Sequence, residues 1–268
     1  MTTLTLPATG PFAPTAIVAS TKSAARRCVD YFRGAPVSLI YIFTLLVTWW
    51  TLRGATDRVT HGLIASASTN LHNMQTDPLQ VLVASAFWAD PAGTPLMMVI
   101  ELLAVMVAAE RWLGWWKTIA VFAVGHIGAT LITVVGIAYA VDHGMMSARI
   151  THTADVGYSY GLMALAGALA FRFTGAWRIA WLVGLGGYLG FEVVEDHTFT
   201  DVGHLSAMLL GVAAFGIGVG VRRVWGRRKA GVANYDSPVN QPKTPDLRST
   251  MRVSSAERIS ATPCGSSF

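Results

Sequence analysis

Six blocks of apolar residues, each long enough to cross a lipid bilayer, constrain this chain more than any other feature. They fall at about 36–53, 93–110, 116–141, 155–173, 176–194 and 201–221. A membrane's hydrocarbon core is crossed by roughly 17–25 residues of helix. Inside it every backbone N–H and C=O must find a partner within the protein, so blocks of this kind read as helices. The chain is 53% hydrophobic and only 13% charged, against about 25% charged for a soluble domain. Mean hydropathy is +0.47. The fold class expected is all-α, a polytopic membrane protein with six transmembrane helices. The segment 54–90 differs: it mixes polar and apolar groups, and its run "LQVLVASAFW" is too short to span. It reads as an interfacial or re-entrant piece.

The ends are polar. Residues 1–34 open with "MTTLTLPATGPFAPTAIVAS", rich in Thr, Pro and Ala, without the basic start and long apolar core of a cleavable signal. Residues 223–268 are basic at first and then rich in Pro and Ser, too polar to fold alone. Both are expected to be disordered, flanking a membrane domain at 35–222. Cys28 and Cys264 lie near opposite ends, with nothing to pair them. The net charge of +5 is informative by position. Lys22, Arg26, Arg27 and Arg33 precede the first helix; Arg111 and Lys117 follow the second; Arg172 and Arg178 follow the fourth; Arg222, Arg223, Arg227, Arg228 and Lys229 follow the sixth. All fall on one side, which the positive-inside rule makes cytoplasmic. Both termini are therefore expected inside, in a bacterial cell membrane. Tryptophans 49, 50, 112, 115, 116 and 177 sit at predicted helix ends, where an aromatic belt belongs.

Within this frame the stretch Val156-Gly157-Tyr158-Ser159-Tyr160-Gly161 holds a serine between glycines at the mouth of an apolar helix. The pattern Gly-x-Ser-x-Gly also describes the nucleophile elbow of soluble α/β-hydrolases, but that elbow needs a strand before the serine. Here "HGMMSARITHTAD" precedes it, which is loop. Ser159 is either a nucleophile or a small packing residue. The sixth helix reads His204-Leu-Ser-Ala207-Met-Leu-Leu-Gly211, with Ala207 and Gly211 on the face that carries His204. The fourth offers Gly157, Gly161, Ala164 and Gly167. Small residues let membrane helices approach closely. Both helices run from outside to inside, so Ser159 and His204 fall at one depth. A histidine there can take the hydroxyl proton as the serine attacks a carbonyl, and N–H groups at a helix start can steady the oxyanion.

These motifs together resemble the rhomboid family of intramembrane serine proteases, in its basic six-helix form. "ERWLGWWKTIAVF" from Glu110 resembles the family's Glu-Arg-x-x-Gly segment. "VGYSYGLMALAGAL" resembles its Gly-x-Ser-Gly motif with a following glycine at Gly167. "GHLSAMLLG" resembles its Ala-His-x-x-Gly-x-x-x-Gly motif. The match covers about 36–221. It implies a rhomboid-like six-helix bundle, Ser159 as nucleophile with its backbone N–H at the oxyanion, His204 as base, no cofactor, no metal, and transmembrane proteins as substrates or clients in the bilayer. No nucleic-acid partner is expected, and the oligomeric state is open. Five positions depart from the family. Thr94 and Met98 stand where its oxyanion-holding His-x-x-x-Asn pair belongs, Tyr160 replaces the glycine after the serine, Gly203 replaces the alanine before the histidine, and Ala207 replaces the first motif glycine. A ring at 160 is expected to crowd a scissile carbonyl.

His126, midway along the third helix, either supplies the missing oxyanion donor or bonds a neighbouring carbonyl. Asp201 starts the sixth helix or orients His204, Asp155 is expected to cap the fourth helix, and Glu101 has no assigned role. His72, His143, His152 and His197 read as exposed loop histidines without metal spacing. The rival to a protease is a rhomboid-like pseudoprotease that binds client helices without cutting them. A small transporter is weaker, for no internal repeat or pair of broken helices is visible.

Overall fold

A computed structural model describes residues 26–152, 155–195 and 197–235, with backbone only from 220 onward. The terminal segments expected to be disordered lie outside these residues, except for 26–34 and 223–235, which are helical apart from the turn at Gly34. The chain falls into two units, Met1–Gly218 and Val219–Phe268. The described part of the second is the continuation of one helix to Tyr235.

The described residues are helical and contain no strand. After α1 (26–33) comes α2 (Pro36–Gly54), started by a proline in its first turn where no N–H is needed. Three short helices follow, α3 (Asp57–Ala67), α4 (Leu71–Thr76) and α5 (Pro78–Ser85). The starts of α4 and α5 are chemically marked: Asn70 Oδ1 accepts from Asn73 N at 2.9 Å, and Asp77 Oδ1 from Gln80 N at 3.2 Å. Next, α6 (Pro95–Leu102) passes through a π-helical turn (Leu103–Val107) into α7 (Ala108–Leu113). Gly114, at φ 84°, makes the break before α8 (Trp115–Asp142). Helices α9 (Ser159–Leu169), α10 (Ala176–Glu195) and α11 (Phe199–Tyr235) complete the chain.

Among the described residues three helices are long and apolar enough to cross a membrane: Pro36–Gly54, Trp115–Asp142 and Phe199–Val219. Large apolar side chains point outward from them, among them Ile40, Phe43, Ile132, Val135 and Ile217. A helix that exposes such a face suits lipid rather than water. Trp50, Trp115, Trp116 and Trp177 are exposed at helix ends.

The inner helix is α9. Nine of its 11 residues are buried. With the 3-10 turn Ala170–Arg172 that extends it, it is roughly 22 Å long, short of a bilayer core of about 30 Å. It begins at Ser159, later than the 155 expected from hydropathy, because Val156 and Gly157 are drawn into a turn against α5. Gly157 N donates to Ser85 O at 3.0 Å, and Gly157 takes φ 142°, a region open to glycine. The main core gathers Leu45, Leu102, Val107, Leu162 and Leu165 from α2, α6, the π turn and α9.

Glu110 and Arg111 lock the first helices onto this core. Glu110 is 3% exposed. Its carboxylate accepts from Val37 N (3.1 Å), Ser38 N (2.7 Å) and Ser38 Oγ (2.6 Å), satisfying the free N–H groups at the start of α2. Arg111 donates to the Asp30 and Tyr31 carbonyls at 3.2 and 2.9 Å, closing the end of α1. Glu110→Ala is therefore expected to cost roughly 3 kcal/mol, and Ser38→Ala about 1 kcal/mol. Thermal unfolding of the purified proteins in detergent checks the order, and equal losses would remove the capping account.

Candidate active site

Ser159 is the first residue of α9, and the N–H groups of that first turn have no acceptor within the helix. His204 lies in the second turn of α11. That helix begins on a reciprocal cap, in which Thr198 N and Oγ1 donate to the Asp201 carboxylate and Asp201 N donates to Thr198 Oγ1. Of the two roles open to Asp201, the helix start is the one these hydrogen bonds show. The Asp201 carboxylate, that of Glu192 on α10 and a ring nitrogen of His204 also lie within 4.8 Å of one another. Among the described residues no hydrogen bond joins Ser159 Oγ to His204, whose Nε2 is buried without a partner.

Small residues bring α9 and α11 together. A side chain at Gly211 would overlap the Ala164 carbonyl, and one at Gly167 would meet the Met208 carbonyl. Ala207 is fully buried. On the opposite flank, Gly161 lies under the Phe122 ring and Gly125 against Ala164, closing α8 on α9. Gly157 serves the turn rather than the helix contact. Of the five packing residues expected, Gly161, Gly167, Ala207 and Gly211 thus stand at helix contacts.

Tyr160 occupies the α9–α11 contact. It is 3% exposed, and its ring meets the His204 ring edge-on with centroids 5.4 Å apart. A Cβ at position 203 would overlap that ring. The two departures at Tyr160 and Gly203 are therefore one arrangement, a large residue on α9 filling space left by a small one on α11. The ring is not free to crowd a carbonyl in front of Ser159, because it is turned into the helix interface.

Asp155 does not cap α9, correcting the expectation. The N-cap position is Tyr158, with no side-chain cap. Asp155 instead accepts from Tyr160 Oη at 2.9 Å and from Thr69 Oγ1 at 3.4 Å, while its backbone N donates to Ser68 Oγ at 2.7 Å. In this loop burial pushes its carboxyl above the usual carboxylate range, opposed by the Tyr160 hydrogen bond, the charge of His204 and the Thr69 hydrogen bond. Glu101 gains a partner too: Tyr158 Oη donates to it at 2.9 Å.

His126 is 4% exposed. Its Nε2 stands 3.1 Å from Ser85 Oγ and 3.2 Å from the Leu82 carbonyl, so it ties α8 to α5, and its Nδ1 is buried without a partner. Ser85 also accepts from Gly157 N, which links this histidine to the turn before Ser159. At the two positions of the missing motif, Thr94 is the N-cap residue of α6 and Met98 is core. His72 and His152 face one another, with ring centroids 5.0 Å apart.

The packing yields a prediction. Gly203→Ala is expected to destabilise the protein by about 1–3 kcal/mol through overpacking. In a Tyr160→Ala background the same change is expected to cost nothing. Thermal unfolding of the four proteins tests the pairing, and an equal cost in both backgrounds would dismiss it.

No curated protein and no solved structure matches this chain. The family model described as rhomboid-like protein matches residues 30–224, which takes in every helix from α2 to α10 and most of α11. With its short buried α9 starting at a serine and its close contact to a histidine-bearing helix, the chain belongs to the rhomboid-like protein family.

Proposed function

We propose that this membrane protein is an intramembrane serine endopeptidase that cuts membrane-protein substrates near the outer membrane boundary. Ser159 Oγ attacks the scissile carbonyl carbon while His204 Nε2 takes its proton. The C–N bond then breaks, and the imidazolium gives that proton to the leaving amine. Water, deprotonated by the same nitrogen, hydrolyses the acyl-serine ester. The oxyanion is held by the unpaired N–H groups at the start of α9. Nothing in this sequence of steps needs a cofactor or a metal.

One observation carries the reading: a buried histidine nitrogen without a partner, on the helix packed against the turn that begins with Ser159. Buried polar atoms nearly always have a partner, and one without, as at His204 Nε2, is open to a reacting group. The second reading, a pseudoprotease that binds client helices, is favoured by Thr94 and Met98, which supply no oxyanion donor. His126 is proposed as a brace for α5 rather than as the replacement donor, since its Nε2 is already engaged. In this proposal the six apolar segments form the membrane domain, α9 needing the residues that flank it to complete its passage, with both termini cytoplasmic and α3 to α5 outside, as the Lys and Arg positions indicate.

A fluorophosphonate probe tests the chemistry. Labelling of the wild type is expected, with loss on Ser159→Ala and comparable loss on His204→Ala, because the two act as one unit. Labelling that survives Ser159→Ala would sink the assignment. An unlabelled but folded wild type that still binds transmembrane peptides would establish the pseudoprotease. The topology has its own test. A single cysteine at the exposed position Ser66, in a chain without Cys28 and Cys264, is expected to react with impermeant maleimide from outside intact cells. Reaction only after the cells are opened would reverse the orientation.

A further inference from the structure

The departures from the family pattern leave His204 beside a tyrosine that the Ser-His mechanism does not use. That tyrosine is itself held at its far end. Its hydroxyl donates to Asp155 at 2.9 Å, and its ring edge meets the imidazole at 5.4 Å between centroids. Asp155 is in turn fixed by the α3–α4 junction. Thr69 N and Thr69 Oγ1 each donate to the Asp155 carbonyl at 2.9 Å, Thr69 Oγ1 reaches its carboxylate at 3.4 Å, and Ser68 Oγ accepts from Asp155 N at 2.7 Å. Ser68 and Thr69 are both buried. Thr133 on α8 and Thr200 on α11 stand near the same tyrosine hydroxyl.

We infer that Asp155 and Tyr160 are positioning residues for His204: the carboxylate anchors the phenol, and the phenol ring fixes the rotamer of the imidazole. This rests on the reading of His204 as the general base. The physical case has three parts. An imidazole whose Nε2 has no partner, and whose ring has the Asp201 and Glu192 carboxylates within 4.8 Å of one nitrogen, takes its rotamer from those charges together with the ring packed on it. Among the described residues, the ring packed edge-on to it belongs to a residue that is buried and hydrogen-bonded, so that residue has no rotamer to spare. Gly203, one residue before the histidine, removes the Cβ that would push this ring away. An aromatic contact of this kind is worth about 0.5–1.5 kcal/mol, enough to decide between rotamers of similar energy. The arrangement also ties the imidazole in α11 to the junction of α3 and α4, so that displacing this outer segment would release the base.

The test uses the full chain in detergent and reads two things. The first is the rate of Ser159 labelling by a fluorophosphonate probe, resolved into maximal rate and half-saturating concentration. The second is the NMR signal of the His204 ring in protein carrying labelled histidine, assigned by its loss in His204→Gln. Tyr160→Phe keeps the ring and loses the anchor; Asp155→Ala loses the anchor from the other side; Asp155→Asn keeps an acceptor. Tyr160→Phe and Asp155→Ala are each expected to lower the maximal labelling rate about tenfold at unchanged half-saturation, with the double variant no worse than either single one. Both are expected to split or broaden the His204 signal, and Asp155→Asn to restore most of both readouts. Tyr160→Phe preserves core volume and serves where Asp155→Ala does not fold. A His204 signal unchanged in Tyr160→Phe and Asp155→Ala overturns the inference, whatever the labelling does. Split signals in a protein that never labels, wild type included, uphold the positioning and refute the protease reading instead.

Discussion

Everything around the candidate site depends on how closely α9 and α11 approach. The contact is backbone on backbone, with Gly211 against the Ala164 carbonyl and Gly167 against that of Met208. Lipid gives two membrane helices no hydrophobic reason to associate, so dispersion over a close-fitting surface must do it. That requirement selects glycine and alanine, and it tolerates no added methyl group. From this contact follow the depth of His204, the burial of α9 on nearly all sides, and the possibility of an 11-residue helix inside a membrane protein. A helix this short leaves backbone groups unpaired at its ends, which is tolerable only where protein rather than lipid surrounds them. The first of those ends is where Ser159 stands.

The remaining helices hold that arrangement from outside. Glu110 and Arg111 fasten the start of α2 and the end of α1 through backbone groups, so they act on chain direction rather than on chemistry. The π turn at Leu103–Val107 inserts Met106 and Val107 into the core. His126 fastens α5 to α8, and through Ser85 reaches the turn at Gly157. By contrast α10 buries only Leu189 completely. The site is thus braced tightly by α5, α8 and α11 and lightly by α10, whose Glu192 nevertheless lies close to His204.

Much of this was legible in the chain. Apolar blocks located the long helices of the described residues, because hydrophobic length is a direct consequence of the solvent. The small-residue spacing on α9 and α11 is the sequence counterpart of the close approaches at Gly211 and Gly167, since backbone contact has few alternatives. Asp201 was legible as a helix start because Thr198-x-x-Asp201 is a local signal. What could not be read was pairing across the fold. Tyr160 and Gly203 each looked like a loss when taken singly, and only their overlap in space makes them one fit. Asp155 looked like a cap because it precedes a helix, but a buried tyrosine hydroxyl five residues on competes for it and wins. The start of α9 was placed too early because hydropathy cannot see that Gly157 N is drawn to Ser85.

The oxyanion question has the same spatial character. Removing one donor from an oxyanion site costs roughly 10²–10³ in rate, so two absent side-chain donors are a heavy loss unless other groups replace them. Met98 lies in the apolar core and Thr94 at a helix start, so neither can be restored to the role without rebuilding α6. Nor can the turn help through Gly157, whose N–H is already given to Ser85. Backbone N–H groups at the start of α9 are what remain. They need no side chain and no rotamer, and they are fixed by the same contact with α11 that sets His204. In the proposed protease the oxyanion would therefore rest on a single helix end, where the positive end of the helix dipole also acts. A substrate carbonyl would have to enter that end directly, without a second wall of donors facing it. Such a site favours a carbonyl delivered by an unwound segment of a substrate helix, whose own backbone has been freed from internal hydrogen bonds and is as short of partners as the N–H groups that await it.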